Sequence, residues 1–538
     1  MSPMPRTLDA VFARLRRGAK SLAALLCLAL TASAQLTDVT QTPNTENVGI
    51  QKSLLQEIGM GRGDCFTPDS ALFLIQRDPF RAIARGRQIF QRKFTSRQGL
   101  GPRTGDGEGQ IEFDGSIGAG LSDSCAACHG RPFGSAGSGG NVHTRPESRD
   151  APHLFGLGVI EMLADEITGE LRSVRAQAIA LAAQQGSPVS LPLHAKGISY
   201  GTIRASSDGT VDTSGVVGVN ADLRVRPFFA EGRTISIREF VAGAFNAEMG
   251  LEAFDPDLTA AAAHRDVTTP AGMRLTGSID AIDASAATSD IDDPDGDGLR
   301  DEVPASLLDA TEFYLLNYFR PGVGRATAQS NAGLVVFQGL GCSSCHVRSL
   351  VIDHDRRVAD VDTRYDELRA NRVFNALFAT ATPLFSSIDD GSGLPTLKAP
   401  RGQPFEVRGI FADFRRHDLG PAFHERNFDG SVTTMFMTEP LWGVASTAPY
   451  GHDGRSQTLE DVILRHGGEA ASSRDAFVAL NENRKAQLLA MLNTLTLFAP
   501  PDTASNLDPG DRGNPQYPFK AHGSIDLSVL FNVPFDRE

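Results

Sequence analysis

Cysteine and histidine recur at one spacing twice in this sequence, as Cys125-Ala126-Ala127-Cys128-His129 and Cys342-Ser343-Ser344-Cys345-His346. Thiols at i and i+3 can reach one edge of a porphyrin from a single helical turn and add across its vinyl groups. The adjacent histidine then offers a nitrogen to the iron. A zinc site or a redox disulfide is the other reading of an isolated C-x-x-C. Here both motifs end in histidine, and of six cysteines only Cys27 and Cys65 lie outside them. The chain is therefore read as carrying two haem c groups, with His129 and His346 as the proximal ligands. Cys65 reads as an inert thiol.

Whether each iron keeps an open face depends on second ligands. Leu459, Val462, Ile463 and His466 recur at i, i+3, i+4 and i+7, one helical face that ends at Gly467-Gly468. An imidazole on that stripe is a candidate ligand for the second haem, a satisfied core histidine being the alternative. His143 follows the first motif in a glycine-rich loop that could swing a ligand on and off iron, or simply face solvent. Glu248 shares a face with Val241, Ala244 and Phe245. A carboxyl buried there would have a raised pKa, suited to acid–base work, unless the helix end is exposed. Asp293, Asp295 and Asp297 match the opening of a calcium loop, but position 12 is Pro304 rather than Glu, so this is no EF-hand. Asp301 and Glu302 could complete a looser calcium site; otherwise the stretch is an acidic linker.

These residues need elements to hold them. Phe80, Ile83, Phe90 and Phe94 predict a helix leading to the first motif, and amphipathic helices are expected over 165–185 and 236–249. Alternation and glycine turns over 189–222 predict a short β excursion. A second helix-rich half is expected from about Ala305 to Leu497. The predicted fold is mainly α: two cytochrome c-like haem domains with loop-rich insertions and a short β excursion. The expected division is a signal peptide at 1–34, an irregular arm at 35–78, a first haem c domain at 79–300, a second at 301–499 and a surface tail at 500–538.

The signal reading rests on five basic residues, an apolar run over 21–30 and the small-residue ending Thr31-Ala32-Ser33-Ala34. An uncleaved anchor is the alternative, but the run is too short to span a bilayer. Export to the periplasm is expected, where haem c is attached. The full chain of 538 residues has a formal charge of −14, and without residues 1–34 it holds 46 basic and 64 acidic residues, a net −18. That balance argues against nucleic acid and anionic membranes, and suits small molecules or a basic redox partner.

Several longer segments carry a family resemblance: residues 123–129 (DSCAACH), 149–158 (RDAPHLFGLG), 341–346 (GCSSCH), 439–443 (EPLWG), 448–455 (APYGHDGR) and 464–470 (LRHGGEA). With these the chain resembles bacterial di-haem oxidoreductases, relatives of the di-haem cytochrome c peroxidases, over roughly residues 80–500. The resemblance implies one haem that delivers electrons and another that meets hydrogen peroxide, with a redox protein or small donor as partner. It places His143 at a detachable distal ligand, His466 where the peroxidases carry methionine, and Glu248 at the distal acid. It also marks departures. Phe240 stands where a glutamine accompanies the acid, and Phe228 or Phe229 where a tryptophan lies between the haems. Trp442, the one tryptophan, sits by the second-haem segment as a packing residue or an electron relay. Two other readings stay open: a non-enzymatic electron-transfer cytochrome, and an oxygenase or dehydrogenase acting on an organic substrate.

Overall fold

The computed structural model describes residues 52–94, 122, 124–130, 136–142, 149–294, 296, 298–318, 320–321, 324, 326–365, 377–427, 429–497 and 524–525. His143, Asp295 and Asp297 lie outside the described residues, as do the signal segment and nearly all of the C-terminal tail.

Helices dominate, and their starts follow local capping chemistry. Helix α1 (Leu54–Ile58) begins with a capping box from Ser53, α2 (Ala71–Arg77) with Ser70, and α3 (Pro79–Gln91) with proline in its first turn. The first motif forms a single-turn helix, α4 (Cys125–His129), begun by Ser124. Helix α5 (Leu157–Gln185) lies between Gly156 and Gly186, and α6 (Ile237–Ala247) starts at Ser236. There follow α7 (Pro256–Ala262), α8 (Ala305–Leu316) and α9 (Ala328–Gly339). The last three are α10 (Leu459–Arg465), α11 (Ala471–Val478) and α12 (Glu482–Leu492).

The segment expected to be an irregular arm contains α1 and α2, whose five- and seven-residue lengths give little periodicity to read. The β excursion is present as an antiparallel meander of Val189–Ala195, Ile198–Ala205 and Val211–Asp212. Lys196 and Gly197, both at positive φ, make its first turn, as a two-residue hairpin demands. Leu193, Tyr200 and Ile203 pack it onto Leu171, Ala178 and Ala182 of α5.

The second half is less helical than expected. Between the second motif and α10 the chain makes short antiparallel pairings: Ser349–Ile352 with Phe405–Arg408, Ala359–Tyr365 with Leu377–Pro383, and Phe385–Ile388 with Leu397–Pro400. Phe405 to Arg408 alternates inward positions, Phe405 half-buried and Val407 buried, with exposed ones, a period of two that four residues barely register.

Close helix crossings organise the cores. A Cβ on Gly86 of α3 would lie 2.1 Å from the Ala310 carbonyl oxygen of α8, and one on Gly333 of α9 would lie 2.0 Å from that of Gln487 in α12. Helix α8 is buried on every side beyond its first residue and joins α3 and α6 in one core. At its centre Arg238 of α6, fully buried, pairs with Asp255 at 2.6 Å, Asp309 at 2.7 Å and Glu312 at 2.9 Å. Arg238→Met leaves Asp309 to Arg62 at 3.3 Å and removes the cation shared by Asp255 and Glu312. Stability is expected to fall by roughly 3–5 kcal/mol, read as a lower urea midpoint. An unchanged midpoint would refute this hub as the tie between α6 and α8.

Candidate functional site

A single cavity of about 1120 Å³ is lined by both motifs: Cys125, Cys128 and His129, and Cys342, Cys345 and His346. In the first motif the Ser124 hydroxyl accepts from the Ala127 amide, and the turn sets the two thiols at i and i+3. In the second, Gly341 at φ 83° opens a 3₁₀ turn over Cys342–Ser344, and the His346 amide closes it on the Cys342 carbonyl at 3.0 Å.

Three cavity histidines are held the same way. Nδ1–H of His129 donates to the Pro152 carbonyl at 2.7 Å, that of His346 to Phe411 at 3.0 Å, and that of His466 to Val462 at 2.7 Å. A carbonyl only accepts, so the proton is on Nδ1 and Nε2 keeps its lone pair. Burial lowers the pKa of His129 and His466, and it pulls His346 down to about 4 against the Phe411 hydrogen bond, with His466 adding to the effect. All three are neutral at pH 7, the form a metal takes. Phe411 itself adopts φ 51°, a left-handed conformation costly for a bulky residue. Its ring packs on Phe337 at 5.5 Å, which lies against His346 at 6.1 Å, so packing holds the carbonyl in position.

The apolar stripe expected beside His466 is in place: Leu459, Val462 and Ile463 line the cavity with it, and His466 itself caps the end of α10. Glu248 caps α6 and lines the cavity with Val241 and Ala244, whereas Phe245 of the same face turns into the core against Phe94. It belongs to the first motif's end: the Ser122 amide donates to its carbonyl at 3.0 Å, and the next residue, Met249, places Sδ 3.9 Å from Cys125 Sγ. Phe240 packs against Phe228 at 6.0 Å and Phe229 at 5.4 Å, an apolar wall. Trp442 is buried and lines the cavity. Of the calcium candidates, Asp293 accepts the Gly298 amide at 3.1 Å within the local turn, and Glu302 accepts that of Glu252 at 2.8 Å, a tie to a segment 50 residues earlier.

Sequence reasoning assigned no role to His153, His417, His452, Glu439 or Glu469, all of which line the cavity. Four of them, all but His417, fall inside the quoted motif segments, the only signal available. His417 is clamped between Asp413 at 2.9 Å and Glu469 at 2.8 Å, one carboxylate on each ring nitrogen. Burial opposes its charge, but Asp413, Cys345 and Glu469 outweigh it and push its pKa up to about 10. The Cys345 thiol, Asp413 and His417 lie close enough to hold a metal, yet both His417 nitrogens are already engaged. His153 donates Nε2–H to the Trp442 carbonyl at 2.7 Å, and His452 stacks on Phe436 at 4.1 Å.

The residues fit two haems. Two pairs of thiols face one apolar cavity, beside neutral imidazoles that present Nε2. Burial pushes Cys125 up to about 12 and Cys342 up to about 11, so both are protonated thiols at neutral pH.

Residues 359–495 match the family described as "Di-haem oxidoreductase, putative peroxidase". This chain thus resembles the di-haem oxidoreductases, and the match includes residues 439–443 and 448–455 and His466. Among solved structures, a MauG-like protein associated with microbial copper homeostasis is similar at 16% identity and a TM-score of 0.24, over 56% of this chain and 77% of its own. No curated protein matches.

The His417 clamp yields a pH test. A pKa raised on folding stabilises the protein fully below the unfolded value of 6.5, and that contribution is lost as pH rises through about 10. His417→Gln is expected to cost roughly 2 kcal/mol at neutral pH and much less above pH 10, by denaturant midpoints. A gap that does not narrow with pH would refute the charged clamp.

Proposed function

We propose that this protein is a periplasmic di-haem c-type oxidoreductase, peroxidase-like, with two cytochrome c-like haem domains. The observation that carries the reading is the shared cavity, which brings both motifs, His466 and Glu248 together. Cys125 and Cys128 would hold one haem and Cys342 and Cys345 the other, with His129 and His346 as proximal ligands. His466, which lines the same cavity as His346 and is close enough that protonating it would disfavour a charged His346, would be the second ligand of the second haem. Bound there, the haems would supply one-electron redox chemistry for the reduction of peroxide.

The chain's own residues do the rest. The hydrogen bonds to Pro152, Phe411 and Val462 orient the imidazoles. Glu248 takes a proton from hydrogen peroxide at its carboxylate and returns it to the departing oxygen. Phe228, Phe229 and Phe240 exclude water from the reactive side. His143, outside the described residues, keeps the role of a displaceable ligand given by the family resemblance. The same phenylalanine wall favours a second reading, an oxygenase of an apolar organic substrate.

Glu248→Gln is expected to slow peroxide-driven oxidation of a reduced cytochrome at least ~100-fold, measured in steady state. Equal rates in wild type and variant would remove Glu248 from the mechanism. His466→Gly is expected to convert one low-spin signal to high spin in electron paramagnetic resonance of the oxidised protein. An unchanged spectrum would mean that His466 binds no iron.

A further inference from the structure

The segment from Glu439 to Trp442 is tied to the holders of both proximal histidines. The Leu441 amide donates to the Ile410 carbonyl at 3.1 Å, and the next carbonyl, that of Phe411, holds His346. The Trp442 carbonyl accepts from His153, and the carbonyl just before His153, that of Pro152, holds His129. Glu439 therefore lines the cavity where the supports of the two motifs meet.

Its carboxyl stands apart from the other acids of that wall. Arg149 is the nearby cation, but it is engaged with Glu425 at 2.8 Å and with Glu231 at 3.1 Å. Glu239 accepts the Ile235 amide at 2.8 Å and the Asp283 amide at 3.0 Å, and Glu469 is bound to His417. Glu439 makes no hydrogen bond or ion pair among the described residues. It is exposed, and it lines the cavity that both motifs share. Burial, opposed by Arg149 and aided by Glu231, pushes its pKa up to about 7. His452, the neighbouring imidazole of this cluster, is pulled down to about 4 by burial, with Arg149 adding to the effect, and is neutral at pH 7.

We propose that Glu439 is the redox-linked proton acceptor of this cavity, taking up one proton from solvent for an electron that enters. The proposal rests on the di-haem reading above. A one-electron donor, such as a reduced redox protein, is oxidised, and the haem pair is reduced by one electron. One proton from water converts the Glu439 carboxylate to a carboxylic acid, so the charge of the cavity is unchanged; reoxidation releases the proton. The physical reason is that an uncompensated electron in a low-dielectric cavity is costly. A carboxyl that gives up no bond on protonation is the group that responds with least reorganisation.

Redox-difference infrared spectroscopy of the intact haem-loaded protein tests this near neutral pH. Reduction of the wild type is expected to produce a protonated-carboxyl band, which Glu439→Gln lacks and Glu439→Asp retains at a shifted position. In parallel, the midpoint potential should fall as pH rises through neutrality in the wild type and be flat in Glu439→Gln. A band that persists in Glu439→Gln, or a pH-independent wild-type midpoint with both haems reporting, would overturn the proposal. Failure to find two haem c signals in the wild type would instead overturn the di-haem reading, and this proposal with it.

Discussion

An imidazole can present one nitrogen to a cofactor in a defined direction only when the other is held, and here the holder is a backbone carbonyl in three cases. The carbonyls of Pro152, Phe411 and Val462 come from segments far apart in sequence. The geometry of the cavity therefore depends on those three peptide groups being brought together. The strained φ of Phe411 shows how far packing is used to aim one of them. A carbonyl partner also keeps the proton on Nδ1, so orientation and tautomer are set by the same bond, while burial keeps the ring neutral.

The helical frame supplies the rigidity that such aiming requires. Gly86 and Gly333 let helices cross at backbone contact, and Arg238 gathers carboxylates from α8 and from the residue before α7 into one buried hub. A buried ion cluster adds little net stability over apolar packing, but its loss is costly, which makes it a determinant of register. Through α6 that register is passed to Phe240 and Glu248 on the cavity wall.

Burial alone does not decide the charge of the cavity histidines. His129, His346 and His466 meet carbonyls and stay neutral, while His417, also buried, meets two carboxylates and is charged. The difference is the partner. Glu439 is the converse case, a carboxyl on the cavity wall beside an arginine that is engaged with two other carboxylates.

The motif cysteines and histidines, the stripe that carries His466 and the face that carries Glu248 were all legible in the sequence, because each is a local pattern of three to five residues on one helical turn or two. The meander over 189–212 was legible for the same reason, since its alternation runs through whole strands. The short pairings after residue 349 were not, because strands of four residues take their identity from partners tens of residues away. Nor were the roles of Asp413, His417 and Glu469, or of Pro152 and Phe411. Periodicity along the chain determines which face a residue occupies; only the tertiary fold decides which distant peptide or carboxylate meets it there. Protonation and orientation follow from that meeting.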